Sequence, residues 1–150
     1  MMMKQTTKRI LQVCAAFVLM AVFALMPSVD VLAQTGNFSL SVGQMNTTNG
    51  QRVMLSRTTP SVNVNARVTS VTINNINVSS ASAPFDFVII SPCGRQHTVP
   101  NISRNTSNIT INTFNGLEAR GNWQLGIQHR GANGTWSTIS GARITVNHRV

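Results

Sequence analysis

Apolar and polar residues alternate with period two along most of this chain, the repeat of strands that bury one face. Phe38, Leu40 and Val42 share a face over 37–42, and a Gly/Asn/Thr-rich stretch over 43–50 reads as loop. A short strand follows over 52–57 and Pro60 breaks it. Val62, Val64, Ala66 and Val68 then alternate with Asn63, Asn65 and Arg67, the clearest amphipathic strand. The apolar parity slips to Val71 and Ile73, which predicts a bulge near Thr69-Ser70, because an unbroken strand would turn the second set outward. Residues 79–84 read as loop.

Phe87-Val88-Ile89-Ile90 is apolar on both faces, as a strand covered on both sides requires, and a turn over 91–95 ends it. Ile109 and Ile111 alternate with Thr110 and Asn112, and Phe114 opens a glycine-containing connection. Trp123, Leu125 and Ile127 face one way, Asn122, Gln124 and Gln128 the other; Asn133-Gly134 marks a turn. Ile144, Val146 and His148 share a face of the last strand. No segment has a helical period. The fold class expected is all-β, a sandwich or jelly roll.

The N-terminus departs from this pattern. Lys4, Lys8 and Arg9 precede an apolar run over 13–26 and then Val31-Leu32-Ala33, the order of a cleaved secretory leader over 1–33. The fourteen-residue run is short of the ~18–20 that a spanning helix needs. A lipid anchor on Cys14 is not expected, since that cysteine precedes most of the apolar run. The expectation is therefore one sandwich domain over 34–150, secreted, periplasmic or at the cell surface, with no membrane span once the leader is gone. Cys93 is then the remaining cysteine, so no intrachain disulfide can form; its turn-like setting predicts a half-buried, unreactive thiol.

Over 34–150 there are nine arginines, no lysine, and only Asp86 and Glu118 as acids, a formal charge of +7. Such a field favours an anionic partner, an acidic polysaccharide or cell-surface glycan, or a partner protein. The arginines are not interleaved with aromatics, which disfavours nucleic acid. Asn37, Asn46, Asn77, Asn101, Asn105, Asn108 and Asn133 fit the N-glycosylation pattern, which carries glycans in a eukaryotic secretory pathway and is a chance consequence of composition in a bacterium, the case the leader favours.

Candidate chemistry is sparse. His97, His129 and His148 have only Asp86 or Glu118 for partners, and no Gly-x-Ser-x-Gly occurs. Two distant acids make a poor calcium site and a poor glycosidase pair, and His129 with His148 lacks a third metal ligand. No metal, cofactor or catalytic set is expected. The candidate binding residues are Arg95, Arg104, Arg130 and Trp136, in loops expected at one end of the sandwich.

Asp86-Phe87-Val88-Ile89-Ile90-Ser91-Pro92-Cys93-Gly94 resembles the Asp-Leu-x-Ile-x-Leu-x-Ser-Pro-x-Gly segment of the P domain found beside subtilisin-like proprotein convertases. Phe114-Asn115-Gly116 with Gly121-Asn122-Trp123-Gln124-Leu125 is similar to that family's Phe-x-Gly and Gly-Thr-Trp-x-Leu, and Thr138 to Gly141 with Ile144-Thr145-Val146 to its closing segment. The likeness covers roughly 68–146. It implies a jelly roll of galactose-binding-like shape that supports the stability or substrate handling of a neighbouring protease domain. Ala142 stands where the family has a late Trp, and the acid-rich calcium loop has no counterpart. The function expected is an exported, non-catalytic binding or accessory module. The alternative is a structural subunit of an extracellular fibre or surface layer, its Phe38 strand completing a neighbour's sheet.

Overall fold

The computed structural model describes residues 33–150; the leader expected over 1–33, with Cys14, lies outside the described residues but for Ala33. Among the described residues nine strands follow one another: β1 (Thr35–Val42), β2 (Met45–Thr48), β3 (Arg52–Thr58), β4 (Arg67–Ala81), β5 (Phe85–Ile90), β6 (Gln96–Ile102), β7 (Ile109–Ile111), β8 (Asn122–His129) and β9 (Trp136–Arg149). They form two antiparallel sheets, one in the order β1-β9-β4-β7 with β2 also on β9, the other in the order β3-β8-β5-β6. First pairs with last and the pairing nests inward through β3·β8, β4·β7 and β5·β6, so the sandwich has jelly-roll topology. Among the described residues no helix is long and apolar enough to cross a membrane.

The inner faces are those the alternation marks. Phe38, Leu40, Val71, Ile73, Ile144 and Val146 from one sheet meet Phe87, Ile89, Trp123, Leu125 and Ile127 from the other, all buried. Trp123 is the largest of the fully buried side chains among the described residues. Its indole donates to the Ala119 carbonyl at 3.0 Å and its ring meets Phe114 edge-on, centroids 5.4 Å apart. The predicted bulge is present: Val68 pairs with His148 and Ser70 with Asn147, which leaves Thr69 extra and turns Val71 inward.

β5 is covered on both sides, as expected, by an economical device. Val88 faces outward in register with Gly126 and Met54, and it is fully buried. Gly126 has no side chain, so Met54 lies across it, and Arg52 spans the same face to donate to Gln96 Oε1 at 2.9 Å.

Four local readings are corrected. Residues 61–66 are not a strand: Asn63 accepts the Asn65 and Ala66 amides through its side chain and carbonyl, which closes a turn and leaves Val64 54 % exposed. Within 43–50 lies β2, whose Met45 and Thr47 are buried against β9. β4 continues through Ala81, into the segment read as loop. β6 was not expected, being polar and holding Pro100; it is an edge strand, where a missing amide proton costs no ladder bond. The Phe38 strand pairs with β9 along all eight of its residues and ends its sheet, so among the described residues its other edge is unpaired.

Candidate functional site

The jelly roll gathers the ends of β4, β6 and β8 with the starts of β5, β7 and β9 at one pole, because each antiparallel partner begins where the other stops. Three of the four candidate residues sit there. Trp136 opens β9 and is 48 % exposed, its indole donating to Ser80 Oγ at 3.1 Å and its amide to Ser82 Oγ at 2.8 Å. Arg104 lies in the β6–β7 connection, which folds over the end of β4: Asn105 Oδ1 accepts the Val78 amide at 2.8 Å, and Thr106 exchanges backbone bonds with Ile76. Between residues 78–81 and 103–105 this leaves an open cleft of about 480 Å³, lined by Ser79, Ser80, Arg104 and Asn105 and by no acid. Ser80 lines this cleft with Arg104 and accepts the indole proton of Trp136, which stands beside the lining.

Arg130 belongs to the same pole but is committed to structure. Its Nε is 2.6 Å from Asp86 Oδ1, an oxygen that also accepts the Asn101 amide at 3.1 Å. Behind it, His129 is buried with Nδ1 3.0 Å from Ser137 Oγ and Nε2 2.6 Å from Thr135 Oγ1. Those hydroxyls donate in turn to the carbonyls of Ala83 and Ala132, so one imidazole ties the β8–β9 loop to the start of β9. These bonds tie the loop that precedes Trp136 to the body of the sandwich.

Arg95 is not part of this pole. The expectation of four residues at one end fails because β5 runs the length of the sandwich before the 91–95 turn, which sets Arg95 at the opposite end. Cys93 shares that turn and is exposed, against the expected half-buried thiol. Its neighbour Ser91 lies 3.2 Å from the sulfur, and this hydrogen bond, with help from the Arg95 backbone, holds the thiol below its ordinary pKa. His97, on β6, is 2.8 Å from Thr113 Oγ1 and edge-on to Phe114; burial pushes its pKa down. Among the described residues no three of His, Cys, Asp and Glu come together as a metal site.

Ser79, Ser80 and Asn105 complete the cleft and were missed by sequence reasoning. Nothing local marks them, because the contact that assembles the cleft joins residues 27 apart.

No protein-family model and no curated protein sequence matches the chain. Among solved structures it is similar to FlhE, with a TM-score of 0.61 and 13% identity, covering 79% of this chain and 100% of that one. A serine protease of Aeromonas sobria gives a TM-score of 0.47 at 11% identity, over 83% of this chain and 29% of that one. The VP2 subviral particle of infectious bursal disease virus gives 0.46 at 15% identity, over 77% and 36%. The first of these likenesses is one of fold: an all-β sandwich.

Proposed function

We propose that this chain is an exported, non-catalytic accessory module, built like a P domain, that recognises an anionic glycan at the Trp136–Arg104 pole. The observation that carries the reading is the cleft, lined by three serine hydroxyls, an amide and a guanidinium and by no acid, with the exposed Trp136 indole beside it and bonded to its Ser80. A sugar ring stacks on an indole, hydroxyls and amides bond its hydroxyls, and an arginine pairs its charged group. The non-catalytic part rests on how the acids are used. Asp86 is tied to Arg130, and Glu118 sits beside Arg67 through a backbone bridge. Support for the P-domain-like design comes from packing between the two resembling segments. Gly121, at φ +129, approaches Pro92 so closely that a Cβ there would lie 2.8 Å from the proline Cβ.

The purified protein on an acidic-polysaccharide column tests this. Retention at low salt that weakens with salt is expected, and Trp136→Ala and Arg104→Ser should each cut the affinity about fivefold or more. Retention unchanged in both variants would sink the reading.

A further inference from the structure

Arg57 and Arg143 converge on one serine from different sheets. Arg57 Nε, from β3, donates to the Ser41 carbonyl at 2.7 Å, and Arg143 Nε, from β9, reaches Ser41 Oγ at 3.3 Å. Among the described residues neither guanidinium has a carboxylate within ion-pair distance. Beside them an open cleft of about 370 Å³ is lined by Ser41, Asn75, Asn77 and Arg143, again without an acid. Two guanidiniums brought to one residue, with Arg143 also lining the cleft, offer N–H donors to an oxyanion group.

This cleft shares strand β4 with the Arg104 cleft, and β9 runs alongside from Arg143 back to Trp136, whose indole bonds Ser80 of that cleft. Along β9, Trp136, Ser140 and Arg143 are exposed and Thr138 is half-buried, while Ser137, Ile139 and Ala142 are buried. Along β4, Asn75 and Asn77 give way to Ser79 and Ser80, which line the other cleft. Between the two, Ser140 Oγ bonds the Asn77 carbonyl and Ser79 Oγ the Thr138 carbonyl, which keeps the surface low and hydroxyl-lined. The seven residue steps from Trp136 to Arg143 span roughly 23 Å at ~3.3 Å per residue.

We infer that the outer face of the five-stranded sheet is one binding track for an extended polyanionic glycan, with Trp136 and Arg104 at one end and the Arg57–Arg143 pair at the other. This rests on the reading of the Trp136 pole as a glycan site and adds the ligand's length and its second anchor. Charge complementarity selects the occupant: the track has a basic group at each end, and Glu118 and Asp86 both lie off it. With a single exposed indole and no second aromatic on it, the track lacks the repeated stacking platform of single-stranded nucleic acid.

Titration calorimetry with heparin-derived oligosaccharides of graded length tests the track. Affinity should rise about tenfold or more from the disaccharide to the octasaccharide and then level, since both anchors must be reached at once. Arg143→Ser should remove about fivefold or more of the octasaccharide's affinity and none of the disaccharide's, whereas Trp136→Ala should weaken both. Both side chains are exposed, and an unchanged melting temperature confirms that the variants are folded. Binding that depends on Trp136 but not on length or on Arg143 overturns the track and leaves the pole intact. Absence of binding at every length overturns both. Duplex DNA bound as tightly, with the same dependence on Arg143, overturns the glycan assignment.

Discussion

Arg130 and Asp86 form an ion pair across the join of β8 and β5, Nε to Oδ1 at 2.6 Å, with the arginine half exposed and the carboxylate 8 % exposed. The asymmetry decides what each substitution does. Removing Asp86 leaves a guanidinium that water can solvate; removing Arg130 leaves a buried carboxylate with the Asn101 amide as its remaining partner. Arg130→Ala should therefore cost about 1–3 kcal/mol in urea unfolding, more than Asp86→Asn, with Arg130→Lys recovering part of the loss. Equal costs for both would contradict the geometry.

Trp123 is the largest fully buried side chain among the described residues, and its indole proton is spent on the Ala119 carbonyl. Trp123→Ala should destabilise the fold by about 3–5 kcal/mol, and Trp123→Phe by less, the residue then being the lost hydrogen bond and a small void. Chemical unfolding monitored by far-ultraviolet circular dichroism measures both. A loss under about 1 kcal/mol for the alanine variant would mean that the core collapses around the gap.

How much of this could be read from the chain follows from where the information sits. Trp123-Leu125-Ile127 and Ile144-Val146 carry their burial in local alternation, and the slip from Val68 to Val71 carries the bulge. β2 carries almost nothing: in four residues only Met45 is apolar, and Thr47 is buried because its hydroxyl reaches the Gln51 carbonyl at 2.7 Å. Val62 to Val68 had the period of a strand, yet the Asn63 turn outcompetes it, since an asparagine side chain closes its own turn without a partner strand. The pole was legible as a set of loops and illegible as an arrangement. Separation along the chain does not say which end of a sandwich a loop occupies, hence the misplacement of Arg95. The cleft depends on a long-range bond from Asn105 to Val78.

Cys93 should react as an activated thiol. It is exposed, and the Ser91 hydroxyl, then the Arg95 backbone, stabilise the thiolate over the thiol. Alkylation by iodoacetamide should thus titrate with a midpoint below that of an ordinary cysteine and run faster at neutral pH than for a peptide thiol. Ser91→Ala should move the midpoint upward, because the largest stabilising contact goes with the hydroxyl. A midpoint unmoved by that substitution would assign the effect to the turn backbone instead.

His97 couples stability to pH. Burial beside Phe114 disfavours its charged form, so its folded pKa lies below the unfolded value of about 6.5. The sign follows from proton counts: between the two pKa values the unfolded chain binds the extra proton, so acid favours unfolding. The penalty is absent above the unfolded pKa, grows as pH falls through it, and stops growing once the folded pKa is passed. His97→Gln keeps a polar group near Thr113 Oγ1 but cannot titrate, so it should flatten the fall in melting temperature below about pH 6.5 relative to the parent. If the two proteins lose stability in parallel on acidification, the slope belongs to other groups and His97 is not its source.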